Sequence, residues 1–188
     1  VAASREPLAV LRRLLRIIEA IGQRSVYFAL LHDSGAARGR LVDLCGRGDF
    51  LANQIAAHPL LLDELLDDRL LRDLPTRAEL VTELDVMMVQ LPEENDPERQ
   101  DETLPQFQRA AIFRVAVADL TGLLPLMHVS DRLTEIAELI VERAMSLAWQ
   151  QITAQFGVPM CDDGRGVDQS GHRRPVRICG AGYGKLGG

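Results

Sequence analysis

Apolar residues recur at helical spacing along most of this chain. Leu8, Leu11, Leu14 with Leu15, Ile18 and Ile21 fall on one face and predict a first helix from an N-cap at Ser4 to about Ile21, closed by Gly22. Arg12, Arg13 and Arg16 lie off that stripe and read as the solvated face of a bundle helix rather than a membrane-surface helix. Shorter helices are expected over Ser25 to Leu31 and over Ala36 to Cys45, the latter between Gly35 and Gly48. Another is expected over Phe50 to Ala57, with Asp49 as its N-cap. His58 and Pro59 break that helix, and Pro59 can open the next, Leu60 to Leu66. His58 has no partners at useful spacing, so a structural turn histidine is the expectation.

Three longer helices follow. Thr76 and Glu79 have the spacing of a capping box, in which each side chain satisfies the other's backbone N–H. Behind it Leu80, Leu84, Met87, Met88 and Leu91 form a stripe, with the methionine pair read as core. The acidic run from Glu93 to Glu102 has neither the spacing nor the glycine of a calcium loop, and reads as a solvated linker and acidic helix start. Gln106 to Leu120 is apolar around nearly its whole circumference, the mark of a central bundle helix. Arg114 and Asp119 within it need partners if buried, and a buried structural pair is expected. Ser130 is placed as the cap of the longest helix, Asp131 to Phe156, which Gly157 and Pro159 terminate.

The period then changes. A polar, glycine-containing loop from Cys161 to Arg174 leads to an alternating strand that begins near Pro175. The strand feeds Gly182-Tyr183-Gly184-Lys185-Leu186-Gly187-Gly188, which holds the one lysine of the chain. The expected organisation is a helical region over residues 1–157 and the start of a second domain over 158–188. A lone strand lacks hydrogen-bond partners, so Val176 to Gly180 is expected to be poorly ordered without a sheet around it.

Composition narrows the chemistry. At 47% hydrophobic residues but only 4% aromatic, the core must be built from aliphatic side chains. A net charge of -6 argues against general nucleic-acid binding. No apolar run reaches the length of a membrane span. Cys45, Cys161 and Cys179 are far apart, so no metal site is assigned, and a reduced, cytoplasmic setting is the simple reading. Gly182 to Gly187 matches G-x-G-x-x-G, yet no helix or acid-tipped strand follows to complete a dinucleotide fold. A strand ending in Gly-Gly can instead set free backbone N–H groups against a triphosphate, where a side chain would block the approach.

The Gly182–Gly188 stretch after a hydrophobic strand resembles the glutamine synthetase adenylyltransferase/adenylyl-removing enzyme family, of the polymerase-β-like nucleotidyltransferases. The resemblance extends to His58-Pro59-Leu60-Leu61-Leu62-Asp63-Glu64-Leu65-Leu66, to Phe107 through Leu120 with Arg114 and Asp119, and to Val129-Ser130-Asp131-Arg132-Leu133-Thr134. It implies a mainly α chain: a helical bundle followed by a loop and the first strand of the second, adenylylating nucleotidyltransferase domain. It implies nucleotide binding by Gly184, Lys185, Gly187 and Gly188, of which Gly187 and Gly188 match the motif that contacts the phosphates. It also implies ATP and Mg2+, glutamine synthetase as the protein modified, and control by a PII-type signal protein and glutamine. The aspartates that hold Mg2+ in such enzymes have no match here, so no catalytic residue is assigned. Two other classes stay open: a helical interaction module without catalysis, and a dinucleotide-binding oxidoreductase piece.

Residues 1–188 alone are accordingly expected to transfer no AMP from labelled ATP to glutamine synthetase. Detectable incorporation in a filter-binding assay would contradict this.

Overall fold

The computed structural model describes residues 6–22, 24–66, 74–89, 97–160 and 178–180, with backbone alone for 97–101. Among them are eight helices: α1 (Pro7–Ile21), α2 (Ser25–Asp33), α3 (Gly35–Arg47), α4 (Asp49–Ala57), α5 (Leu61–Leu66), α6 (Arg77–Val89), α7 (Pro97–Thr121) and α8 (Leu126–Phe156). The described residues contain no strand. Of the expected terminal strand, Ile178 to Gly180 are described and are not in one; its remaining residues lie outside the described set. The chain divides into two compact units, Val1–Leu133 and Thr134–Gly188, with the division inside α8.

The first unit is organised around α1, which lies mainly against α4 and α3. Val10, Ile17 and Ile21 are its fully buried residues, and they join Leu41, Leu44 and Cys45 of α3, Leu51 and Ile55 of α4, Leu61 and Leu65 of α5, and Phe113 and Val117 of α7. This corrects the expected stripe. Leu8, Leu11, Leu15 and Ile18 are exposed, and only Leu14 and Ile21 of the expected set meet the core. The helix is apolar over so much of its surface that periodicity alone cannot choose the buried side.

The arginines decide it. Arg13 donates from Nε and Nη2 to both carboxylate oxygens of Asp49, at 2.8 and 3.0 Å, and from Nη1 to the Cys45 carbonyl at 2.7 Å. Arg16 donates to Asn53. One guanidinium thus sits against a last-turn carbonyl of α3 and a first-turn carboxylate of α4, where the helix dipoles favour each charge. Arg13 is therefore not the solvated residue that the stripe implied. Asp49 is likewise not a cap: Gly48 holds that position, and the Asp49 side chain is turned to Arg13.

Other boundaries follow local chemistry more closely. The Ser34 hydroxyl accepts from the Ala37 N–H at 3.1 Å and caps α3. The Thr76–Glu79 box forms as expected, with Thr76 N–H donating to Glu79 Oε2 at 2.7 Å and Glu79 N–H to Thr76 Oγ1 at 3.4 Å. Gly122 and Gly157 end α7 and α8 with φ of 75° and 78°, in the left-handed region that glycine enters without strain. The expected Ser4 cap lies outside the described residues.

Two helix starts differ from expectation. α7 begins at Pro97 and passes through Pro105, so the helix survives the one hydrogen bond that an internal proline removes. α8 begins at Leu126, directly after Pro125, and Ser130 lies inside it rather than at its cap. No described helix is long and apolar enough to cross a membrane.

The Arg13 guanidinium holds the Asp49 carboxyl below its ordinary 3.8. A depressed folded value makes this pair stabilising above the unfolded value, and its contribution fades as pH falls through the folded one. Carboxyl NMR should therefore find Asp49 titrating below 3.8, and Arg13→Gln should return it to the usual range.

Candidate functional site

Three short stretches of sequence meet around one buried cation. In α7, Phe107, Ala111, Phe113, Val115, Val117 and Ala118 are buried, and Arg114 is carried into the interior with them at 5% exposure. Leu61, Leu62 and Leu65 anchor α5, and Leu80 and Leu84 anchor α6. These anchors bring Glu64 and Glu83 to Arg114. Arg114 Nη1 and Nη2 donate to Glu83 Oε2 and Oε1 at 2.7 and 2.6 Å. Its Nε donates to Glu64 Oε2, and Nη2 also to Glu64 Oε1 at 3.1 Å.

Both carboxylates are therefore gripped through both oxygens, a geometry that the planar guanidinium fork offers and a lysine does not. Burial by itself would lower the Arg114 pKa. The carboxylates of Glu83 and Glu64 outweigh it and hold the value above the ordinary one. The pairing corrects the expected Arg114–Asp119 pair. Residues five apart on a helix do not share a face, and the partners come from two other helices.

Beside this cluster lies a cavity of about 300 Å³, bordered by Arg24, His58, Asp63, Glu64, Glu83 and Arg109, among others. The main chain of His58 closes α4: its N–H donates to the Gln54 carbonyl at 2.9 Å, and its carbonyl accepts from Leu61 N–H at 3.0 Å. Tyr27 Oη donates to Asp63 Oδ2 at 3.4 Å on the same side of the unit. The wall thus carries both signs of charge, with the Glu64 and Glu83 charges largely answered by Arg114. Such a space suits a small molecule that is itself polar at two ends, and its volume is at the small end of ligand pockets. Met87 lines the cavity and is half-buried, as is Met88, so the methionine pair is not core.

The residues assigned from sequence to nucleotide binding, Gly184, Lys185, Gly187 and Gly188, lie outside the described residues. Among the described residues no group of three or more His, Cys, Asp and Glu side chains could hold a metal ion. Glu64 and Glu83 escaped the sequence reading. The available signal was a buried arginine with no acid three or four residues away in its own helix, which requires acids elsewhere.

A family model for glutamate-ammonia ligase adenylyltransferase matches residues 38–188. The chain belongs to that family. The curated relatives agree along its whole length. It is 44% identical, over all of its residues, to the bifunctional glutamine synthetase adenylyltransferase/adenylyl-removing enzyme of Thioalkalivibrio sulfidiphilus, and covers 19% of that protein. The enzymes of the same description from Mannheimia succiniciproducens and Pseudomonas putida are 41% and 43% identical over 95% and 97% of the chain, which covers 17% and 18% of them. The chain thus spans less than a fifth of the length of these adenylyltransferase relatives, and the match takes in both the Arg114 cluster and the Gly182–Gly188 stretch.

Replacing Arg114 by methionine strands two carboxylates in a part-buried site. The expected loss of stability is about 3–5 kcal/mol, the scale of an uncompensated buried charge. Chemical denaturation should show it, and adding Glu64→Gln and Glu83→Gln should recover much of it.

Proposed function

We propose that this chain is the helical region and the leading edge of the adenylylating domain in a bifunctional enzyme that attaches AMP from ATP to a tyrosine of glutamine synthetase and removes it by phosphorolysis. The observation that carries this is the 44% identity sustained over all 188 residues to an enzyme so described. The sequence Lys185-Leu186-Gly187-Gly188 adds chemical support, because paired glycines leave backbone N–H groups open to phosphate oxygens. We assign Gly187 and Gly188 to the phosphates, with Gly184 and Lys185 beside them.

Mg2+ would neutralise charge on the phosphates during transfer. The donor set among the described residues does not fit it, so no residue of this chain is assigned to the metal. Within this reading the helical region supports the nucleotide-binding stretch and carries regulation by a PII-type protein and glutamine. The two-signed cavity beside Arg114 is of a size and polarity that a free amino acid suits. The setting is the cytoplasm, where glutamine synthetase would be met.

A chimera tests the assignment. The matching region of the Thioalkalivibrio sulfidiphilus enzyme is replaced by this chain, and AMP transfer from labelled ATP to glutamine synthetase is followed. Transfer should persist. Gly188→Val should lower it by about 100-fold or more, the scale of losing preorganised donors at a developing charge, while adenylyl removal continues. A soluble, folded chimera with neither activity would refute the proposal.

A further inference from the structure

α1 carries two apolar stripes, and only one of them meets the core. Val10, Leu14, Ile17 and Ile21 pack against the other helices of the first unit. Leu8, Leu11, Leu15 and Ile18 are left exposed, at 77%, 46%, 50% and 42%. With a turn of about 100° per residue, the exposed four fall within about 80° of one another, and their centre lies about 110° from that of the buried four. The exposed stripe is not a scatter of single residues. Leu8, Leu11, Leu15 and Ile18 follow one another in steps of three, four and three residues, the spacing at which one helix receives the side chains of another. Isolated exposed leucines are ordinary on a protein surface, whereas a continuous apolar seam along one helix marks a place where something packs. On the side away from the core the seam is edged by Arg12 and Glu19, both exposed.

We propose that this seam docks an amphipathic helix from another part of the same polypeptide, one with apolar residues at heptad spacing and an acidic side chain beside Arg12. This rests on the adenylyltransferase reading above. The spacing selects a helix, laid at about 20° to α1, because steps of three and four residues fit the grooves of a helix in that geometry. The relatives supply the chain, since more than four-fifths of each lies outside the stretch matched here. A tethered segment meets the seam at an effective concentration of about millimolar. A second copy of this chain has no such advantage and meets a charge penalty. Two seams paired about a twofold axis, with Leu11 opposite Leu15, set Arg12 beside the Arg12 of the second copy. The four seam residues take no part in the core cluster. Docking therefore joins the helical region to the rest of the enzyme by a contact that forms and opens without unfolding the first unit.

Thiol labelling in two settings tests this. Leu15→Cys is made in this chain and in the chimera, and its reaction with a maleimide is followed by peptide mass spectrometry, which reads it apart from Cys45, Cys161 and Cys179. In this chain the new thiol should react at the rate of an open helix surface. In the chimera it should react about 10-fold more slowly or slower still, the scale of a site that must open locally to be reached. Equal fast rates would overturn the proposal. So would slow reaction in this chain by itself, with light scattering then telling a second copy from a cover within the chain. A second pair of substitutions guards against an effect of the cysteine. Leu11→Glu with Leu15→Glu should leave the Tm of this chain within about 2 °C, as surface changes do. In the chimera the same pair should speed backbone hydrogen exchange of α1 by about 10-fold or more. A larger fall in the chain's own Tm, or unchanged exchange in the chimera, would also overturn the proposal. A folded, unsubstituted chimera with neither activity would count against the adenylyltransferase reading instead, with the two labelling rates still reporting on the seam.

Discussion

The buried Arg114 guanidinium is the constraint on which the first unit depends. Once α7 takes it inside, two carboxylates must follow, and the chain supplies them from α5 and α6. Three helices are thereby held in one register. A hydrophobic trio of equal volume would serve stability as well or better. The ionic arrangement does something an oily contact does not: its forked geometry accepts one mutual placement of α5, α6 and α7. That placement also fixes one wall of the cavity, because Glu64 and Glu83 border it.

A second arginine plays a comparable part in the same unit. Arg13 joins α1 to the close of α3 and the opening of α4 through three hydrogen bonds. It does so next to Cys45, whose thiol burial pushes up to about 11. The thiol stays neutral there and behaves as a small apolar side chain. Two polar anchors beside an aliphatic core help a chain with so few aromatic residues hold several short helices together.

The curated relatives that this chain matches are larger enzymes, of which it spans less than a fifth. The first unit is rigidly specified by paired charges and close apolar contacts. The second is a long helix with a return contact at Gly180.

The sequence determined the helical class, the glycine stops at Gly122 and Gly157, the Thr76–Glu79 capping box and the family. Each depends on neighbours within a few residues, so local chemistry decides it. The resemblance stated from Gly182–Gly188 and the helical stretches was borne out by the family match over residues 38–188. Tertiary structure decided which part of α1 is buried, because its apolar face is wider than the strip that meets the core, and Arg13 meeting Asp49 helps fix the strip. It decided the partners of Arg114, because ion pairs between helices carry no sequence spacing. It decided the starts of α7 and α8, where packing carries a helix through Pro105 and past Ser130. The glycine-rich stretch carried the family resemblance through its residue types alone; the contact of Gly180 with Met145 required two segments far apart in sequence to be seen side by side.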